Sequence, residues 1–353
     1  MRLPQIEIEV LERAVADLFR AAGVAQADAL CVAEDLVAAD VEGIASHGIM
    51  LVPMYLDRIK AGSVRPAADR TVVSDRAAAV VLDAANTLGQ PTARQAAGLA
   101  VEKAREVGLG AVAVRNAFHI GALNRYARMM ADQGCVALVT TNTRPLLPAT
   151  GGATPITGNN PLAVAVPSSG GYAAEVDMAL SAVAMGKIRN AMAAGQPIPE
   201  GWATDAAGRP TTDAAAAIQG MLLPAAGPKG FGLAFVLDLI AGGLSGGAAG
   251  PEVGALYGDP AKPYACAAFF LAIDTGHFTD AAAMAQRVDR ALSRTSTSAL
   301  APGVARVFAP GELAHASREA AAGLCRPQPQ ALDALIAAGA GLDLDLSYLK
   351  PKE

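Results

Sequence analysis

The sequence predicts an α/β protein of the α+β type, in which a helical lobe precedes a larger domain built on a mixed sheet. Residues 1–65 repeat apolar side chains at helical spacing. From residue 71 onward, short β-branched runs separated by turns predict strands that do not alternate strictly with helices. A chain of 353 residues that are 52% hydrophobic can form two domains, or one large domain with a lobe.

The three helices of the lobe follow from their spacing and end signals. Residues 6–22 place Leu11, Val15 and Leu18 on one face, and residues 28–41 form a second helix. A third helix follows the turn Ser46-His47-Gly48, begins near Ile49, and ends at Ala61 before Gly62. Pro53 fits because its missing N–H falls in the unpaired first turn of that helix.

The sheet domain follows from short runs of β-branched and apolar residues between turns. One long helix is predicted at 91–107, and the polar stretch at 275–290 returns to helices and loops. The predicted strands are 71–74, 79–83, 111–115, 136–141, 162–166 and 264–273.

Charge and cysteine content disfavour several classes of protein. The formal net charge of −5 and the pI near 5.5 argue against a nucleic-acid or anionic-membrane partner. The four cysteines lie far apart and form no CxxC pair, so we expect neither a metal site nor a disulfide scaffold. The longest apolar stretch, 231–249, contains Asp238 and several glycines, which favours a buried helix over a membrane span. Without a signal-peptide pattern, the prediction is a soluble cytoplasmic protein.

The common nucleotide-binding signatures are missing. The stretch EVGLGAVAV at 106–114 runs from helix to glycines to strand, which is the reverse of a dinucleotide-binding fingerprint. We interpret Gly108 as a helix C-cap instead. The turn before the apolar run at 228–239 carries Lys229 and is either an anion site or an ordinary helix cap.

Two histidines and one aspartate are candidates for proton transfer. His47 lies in a small-residue turn before a helix, and His119 follows a strand with Gly121 close behind it. A structural role is the alternative for each histidine. Asp177 lies in an apolar stretch, so it needs a partner. Either a histidine pairs with it, or it caps a helix that starts near Ser181.

Seven stretches in this order resemble the malate/L-lactate dehydrogenase family of non-Rossmann NAD(P)-dependent oxidoreductases. They cover about residues 5–320. The stretches are DVEGIASHG, FHIGAL, GNNPLAVAVP, VDMALSAVAMGKI, IPEGWATDAAGRPTTD, LLPAAGPKGFGL and APGEL.

The resemblance implies a cofactor domain on a mostly antiparallel sheet, a helical lobe formed by both termini, and a homodimer. We assign residues 1–70 and 285–353 to the lobe and residues 71–284 to the domain that binds NAD or NADP. A hydride would pass between the nicotinamide and a small carboxylate substrate, and a histidine would give or take the accompanying proton.

The resemblance also implies roles for individual residues. Ser46, His47 and Asp177 would form a proton relay, while His119 is ranked slightly higher as the proton donor or acceptor. The residues implied to bind the cofactor are His119, Gly121, Thr143, Gly158, Asn160, Asp177, Met178, Ala179, Lys229, Gly230, Gly276, His277, Phe278, Gly311 and Glu312.

One departure from the family pattern concerns the substrate. Relatives often read SHGxxR, where the arginine pairs with a substrate carboxylate, but Leu51 stands in that place here. Arg144 is the preferred replacement and Arg125 a weaker one, with Tyr55 as a further substrate contact. A 2-hydroxy or 2-oxo acid is the first expected substrate class, and a cyclic imine carboxylate is the alternative. A binding protein without catalysis is the third possibility.

Overall fold

The computed structural model describes residues 3–350, which contain helices around one large sheet and a second, smaller core. The helices are α1 (Ile8–Ala21), α2 (Gln26–Val41), α3 (Val52–Lys60), α4 (Gly89–Val107), α5 (Asn124–Ala131), α6 (Met185–Ala193), α7 (Ala214–Gln219), α8 (Pro228–Asp238), α9 (Ala281–Ser296), α10 (Glu312–Ala321) and α11 (Pro329–Ala340). The strands are β1 (Ile6–Glu7), β2 (Thr71–Arg76), β3 (Ala79–Asp83), β4 (Leu109–Ala117), β5 (Cys135–Thr141), β6 (Leu147–Pro148), β7 (Pro155–Thr157), β8 (Leu162–Val166), β9 (Ala174–Met178), β10 (Ala203–Thr204), β11 (Pro210–Thr211), β12 (Cys266–Asp274) and β13 (Leu324–Cys325).

The main sheet is mostly antiparallel, as expected. Its order is β2-β3-β4-β12-β5-β8-β9, and only the pair β3–β4 is parallel within residues 3–350. The predicted strands are confirmed within two residues at each end, but β9 was not predicted. Its exposed positions give the short strand no clear alternation of apolar residues.

Helix ends follow the local chemistry of the sequence. Gly108 has φ of +88° and caps α4, which confirms that the 106–114 stretch ends a helix. Pro53 lies in the first turn of α3, where no N–H is needed. This helix starts later than predicted, because the chain first makes short turns at Ala45–His47 and Ile49–Leu51.

The lobe is built from both ends of the described chain. β1 pairs with β13, α10 packs against α2, and α11 packs against α1 and α3. In contrast, α9 lies at the edge of the sheet, where its Asp289 accepts hydrogen bonds from Ser169 and Gly170. Of the C-terminal helices, α10 and α11 thus provide these contacts with the N-terminal helices, and the predicted domain boundaries stay a prediction.

A second core within the predicted sheet domain is separate from the main one. It gathers apolar side chains from residues 147–240 and includes α6, α7 and α8. The prediction that residues 231–249 form a buried helix is wrong for the isolated chain. Val236, Leu239 and Leu244 are about half exposed, at 49%, 51% and 58%.

Two further observations bear on the predicted protein class. Among residues 3–350, no helix has the length and apolar character needed to cross a membrane. No group of three or more histidine, cysteine, aspartate or glutamate side chains in the same range could hold a metal ion.

Candidate active site

The candidate site lies at one end of the main sheet, where five strand ends meet. β4 ends at Ala117, next to the start of β12 at Cys266. β5 ends beside the start of β8, and β8 starts beside the end of β9. This register brings together three segments that the sequence separates widely, at 118–121, 142–144 and 177–179.

His47 and His119 lie against each other at this end. Their ring centroids are 5.5 Å apart, with an angle of 29° between the planes. The Oγ of Ser46 lies 3.0 Å from Nδ1 of His47, so the first link of the predicted relay is present. Both imidazoles are half-buried, which leaves them open to a small ligand.

Tyr55 holds His119 from behind. Its side chain is fully buried, and its hydroxyl lies 2.7 Å from Nδ1 of His119. The sequence suggested that Tyr55 contacts the substrate. Its buried side chain does not line the open site and instead orients the imidazole of His119. Nε2 of His119 makes no hydrogen bond within residues 3–350, and it is the ring nitrogen left for a ligand.

Burial and the neighbouring imidazole both favour neutral histidines. Burial, and next the charge of His47, lowers the pKa of His119 to about 3. Burial also lowers the pKa of His47. An anionic ligand beside the pair would favour the imidazolium form and raise both pKa values.

The turn that presents His47 is fixed by a carboxylate beneath it. Oδ2 of Asp40 accepts a hydrogen bond of 2.8 Å from the N–H of Ile49. A Cβ on Gly48 would lie 2.2 Å from Oδ1 of Asp40, so only glycine fits between them. Burial raises the pKa of Asp40 to about 6 against the opposing effect of this hydrogen bond.

Asp177 occupies neither of its two predicted roles. Its Oδ2 accepts a hydrogen bond of 2.9 Å from the N–H of Asn124, the first residue of α5. The next helix along the chain starts at Met185, so Asp177 caps a helix that is distant in sequence. Within the described chain no histidine lies within ion-pair distance of Asp177, and the second link of the relay is missing. The carboxylate is open to solvent, yet the protein atoms crowded around it raise its pKa to about 6.

A buried ion cluster that sequence reasoning missed connects the lobe to the sheet beneath this site. Arg128 pairs with Glu42 at 2.8 Å and with Glu175 at 2.7 Å, and Arg318 also contacts Glu42 at 3.0 Å. Asn124 donates a hydrogen bond to Glu42 from its side chain. Glu42 lies at the end of α2, shortly before the His47 turn, and Glu175 lies two residues before Asp177. The cluster thus fixes the His47 segment relative to the strand of Asp177.

The segment at 158–160 supports the site rather than lining it. Asn160 is fully buried, accepts a hydrogen bond from the N–H of Thr143, and donates one to the carbonyl of Ala234. A Cβ on Gly158 would lie 2.2 Å from Oγ1 of Thr143, so the chains approach too closely for a side chain. Asn160 therefore holds Thr143 and α8 together and, being fully buried, offers no exposed atom to the cofactor that the resemblance implied it would bind.

Lys229 lies beside the strip that follows Asp177. The N–H of Ala225 donates to the carbonyl of Leu180, so the turn before α8 is joined to the end of β9. Lys229 is exposed in the first turn of α8, and the buried Gly230 lies against the carbonyl of Ala225. Met178 and Ala179 are also exposed. The arrangement leaves a positive charge and a helix N-terminus next to an open surface.

Several predicted cofactor contacts lie elsewhere. The turn at 276–278 follows the opposite end of β12, roughly 26 Å along a nine-residue strand. There His277 contacts Asp274 at 2.6 Å and packs against Gly108. Gly311 approaches the carbonyl of Ala173, and Glu312 accepts a hydrogen bond of 2.8 Å from the N–H of Ala309. Both groups lie toward the opposite end of the main sheet from the histidine pair.

Of the other predicted substrate residues, one is buried in the core, one is already paired, and one is exposed. Leu51 is 1% exposed and belongs to the main core, so it does not reach a substrate. Arg125 is already paired with Asp35 at 2.8 Å. Arg144 is exposed and makes no ion pair within residues 3–350. Burial raises the pKa of Tyr264, and the charge of Arg144 opposes this rise. The ring of Tyr264 packs 6.1 Å from Phe118, the residue before His119.

Comparison with known proteins gives the same assignment by sequence and by structure. Residues 6–325 match the malate/L-lactate dehydrogenase family. L-sulfolactate dehydrogenase of Methanocaldococcus jannaschii is 35% identical over 309 residues, which are 86% of this chain and 87% of that protein. A (2R)-3-sulfolactate dehydrogenase (NADP(+)) of Chromohalobacter salexigens is 36% identical over 78% of this chain and 82% of its own.

Solved structures share the whole fold. Sulfolactate dehydrogenase from M. jannaschii superposes with a TM-score of 0.91 at 32% identity, over 98% of this chain and 99% of the other. The Δ1-piperideine-2-carboxylate reductase from Pseudomonas syringae superposes with a TM-score of 0.83 at 29% identity, over 95% and 99%. The chain described here therefore belongs to the malate/L-lactate dehydrogenase family.

Proposed function

We propose that this protein is an NAD(P)-dependent oxidoreductase that interconverts a small 2-hydroxy acid and its 2-oxo acid. The observation that carries the proposal is the pair of half-buried imidazoles, 5.5 Å apart, at the end of the sheet. Nδ1 of His119 is held by the hydroxyl of Tyr55, and its Nε2 makes no hydrogen bond within residues 3–350. A general acid or base needs this arrangement, with one ring nitrogen fixed and the other open to the substrate. The domain division at residues 71–284 stays part of this proposal, with the cofactor bound by the sheet domain.

The residues present fit a dinucleotide. Lys229 and the first turn of α8 offer a charge and free backbone N–H groups to a phosphate. The strip at 177–179 is exposed, and Thr143 and Gly121 are half-buried in the segments that follow β5 and β4 at the same end of the sheet. When bound, the nicotinamide supplies or accepts a hydride. The Chromohalobacter relative is an NADP(+) enzyme, and both NADP and NAD stay candidate cofactors for this chain.

His119 is the proposed proton donor and acceptor. Its Nε2 would give a proton to the substrate oxygen during reduction and take it back during oxidation. His47 lies against it and lowers its pKa, so a charge on either ring affects the other. Ser46 would orient His47 through the 3.0 Å contact with Nδ1.

Arg144 is the proposed partner of the substrate carboxylate. It is exposed and unpaired within the described chain, and its charge acts on the pKa of Tyr264, whose ring packs against Phe118 beside His119. A guanidinium can bind a carboxylate through two hydrogen bonds. A cyclic imine carboxylate is the second candidate substrate, because the chain shares its fold with a piperideine-2-carboxylate reductase.

The test is oxidation of NADH and NADPH, followed at 340 nm, with a panel of open-chain 2-oxo acids and cyclic imine carboxylates. With the substrate so identified, Arg144→Met should raise its KM about tenfold to a hundredfold, with a smaller effect on the KM of the cofactor. Arg209→Met, on an exposed ion pair with Asp205, is the matched control and should change neither.

The panel separates the alternatives. Turnover of 2-oxo acids supports the proposal, whereas turnover of imines alone assigns the second candidate. Cofactor binding without turnover of any substrate would contradict both and favour a binding protein. An unchanged substrate KM in Arg144→Met would remove Arg144 from the site.

We further propose a homodimer in which a second copy covers α8. Large apolar side chains recur on its open face at helical spacing, which a soluble chain rarely leaves exposed. The one charged residue after Lys229 in this helix, Asp238, is itself buried. The exposed apolar side chains are Leu233, Phe235 and Val236 on α8, and Leu239 and Leu244 in the helical turns that follow it.

Val236→Asp should convert the dimer to monomers, because it buries an unpaired charge in the contact. Sedimentation velocity should give about twice the chain mass of 35.6 kDa for the wild type and the single mass for the variant. Leu30→Asp, at an exposed position of the lobe, should stay dimeric. A monomeric wild type would refute the homodimer.

A further inference from the structure

Gln90 is a buried polar side chain that reaches the histidine pair through Tyr55. It is 0% exposed in the first turn of α4, and its Nε2 lies 3.1 Å from the hydroxyl of Tyr55. That hydroxyl lies 2.7 Å from Nδ1 of His119. Gln90, Tyr55 and His119 therefore form one continuous hydrogen-bonded chain that ends at the open site.

The start of α4 is built tightly against the backbone of this histidine. A Cβ on Gly89 would lie 2.2 Å from the carbonyl oxygen of His119 and 2.5 Å from that of Phe118. A residue with a side chain cannot occupy this place, so glycine allows the contact. The main chain at Gly89 therefore packs directly on the main chain at Phe118 and His119, and this contact fixes the position of Gln90 relative to His119.

Oε1 of Gln90 is buried and has no hydrogen-bond partner among the residues that the structure describes. A buried carbonyl oxygen in this state costs free energy, and native proteins rarely keep one without a reason. The amide of glutamine has nearly the same shape after a half-turn about its last bond, which exchanges Oε1 and Nε2. Gln90 can therefore present either a donor or an acceptor to Tyr55.

The two amide orientations select opposite tautomers of His119, because Tyr55 has a single hydroxyl proton. When Nε2 of Gln90 donates to the tyrosine oxygen, the hydroxyl donates to Nδ1 of His119, and the neutral ring carries its proton on Nε2. When Oε1 accepts the hydroxyl proton, the tyrosine oxygen accepts from Nδ1–H, and Nε2 is left with a free lone pair. The carbonyl of His119, at 3.5 Å from the hydroxyl, is too distant to be a strong competing acceptor.

We propose that Gln90 is a positioning residue that, through Tyr55, sets which ring nitrogen of His119 carries the proton. In the orientation with Nε2 toward Tyr55, His119 presents an N–H to the site. In the other orientation, it presents the lone pair that a general base needs, and the same contacts stabilise the imidazolium. Burial raises the pKa of Tyr55 well above its ordinary value, so its hydroxyl transmits the hydrogen bond without ionising.

The other titratable side chains near the ring of His119 do not select its tautomer. His47 faces the ring of His119 by stacking, and Tyr264 lies behind Phe118 as a neutral phenol whose pKa burial raises. The contact at Nδ1 that distinguishes the two ring nitrogens therefore comes from Tyr55.

The catalytic meaning of this inference rests on the proposed function, but its test does not. Nitrogen-15 NMR of ring-labelled histidine, on the full chain without substrate, reports the tautomer of His119 directly, and the His119→Asn spectrum assigns the signal. The wild type should show mainly the Nε2–H tautomer, as the 3.1 Å contact of Gln90 Nε2 implies. Gln90→Met, which removes both the donor and the acceptor, should give a mixture, and Gln90→Glu should shift the population toward Nδ1–H.

Gln95→Met is the matched control, since Gln95 lies on the same helix and contacts Arg70 instead. It should leave the tautomer unchanged. If the buried carboxylate of Gln90→Glu unfolds the protein, the comparison of Gln90→Met with the wild type is sufficient. The same tautomer ratio in the wild type and Gln90→Met would overturn the inference, whatever the enzyme activity.

Discussion

Replacing His119 by asparagine should lower kcat about 100-fold to 10,000-fold, the usual contribution of general acid or base catalysis. Asparagine keeps a polar group in the site but cannot transfer a proton there. The KM of the cofactor should change little, because Lys229 and the strip at 177–179 remain. Steady-state kinetics in both directions with the substrate found in the panel provide the measurement.

The control and the competing assignment come from other histidines. His315→Asn, on α10, removes an imidazole that stacks on Tyr172 away from the site and should not affect turnover. His47→Asn should lower kcat less than His119→Asn if His47 acts through its neighbour. A larger loss in His47→Asn would exchange the two roles, and losses below about tenfold in both would contradict the proton-transfer proposal.

Arg128→Met should destabilise the protein by about 3–5 kcal/mol, because it leaves two buried carboxylates without their shared cation. The side chains of Glu42 and Glu175 are 1% and 6% exposed, so water cannot replace the guanidinium. Chemical denaturation followed by circular dichroism measures the change in the free energy of unfolding. Arg20→Met, which breaks an exposed pair with Asp17, should cost less than about 1 kcal/mol.

The same cluster predicts how stability depends on pH. Burial opposes ionisation of Glu42, but Arg128, Arg318 and Asn124 outweigh it and lower its pKa below 4.5. A lowered pKa in the folded state adds stability above pH 4.5, and this stability is lost as pH falls through the folded pKa. In Arg128→Met the pKa of Glu42 should rise toward or above its unfolded value, so the acid-induced loss of stability from this carboxylate should become smaller than in the wild type or reverse its sign. An identical pH dependence in both proteins would show that the cluster does not stabilise the fold.

The sequence by itself determined the class of fold and most of its elements. The helical spacing around Leu11 and Leu18 is a local pattern of the sequence, and so are β-branched runs such as 162–166. Such patterns can be recognised without knowing which other segments pack against them. The C-cap at Gly108 was also predictable, because a positive φ at a helix end favours glycine. The ordered set of motifs identified the family, and the comparisons confirm it.

Only the tertiary structure decided what each motif residue touches. A one-dimensional motif cannot tell that Asp177 caps α5, that Leu51 points into the core, or that the turn at 276–278 follows the far end of β12. These facts depend on strand register and on which helix end meets which loop, and both arise from contacts between residues far apart in the chain. The sequence did not single out Gln90 or Arg128 for the same reason. The role of a buried polar side chain depends on its hydrogen-bond and ion-pair partners, which are distant in sequence.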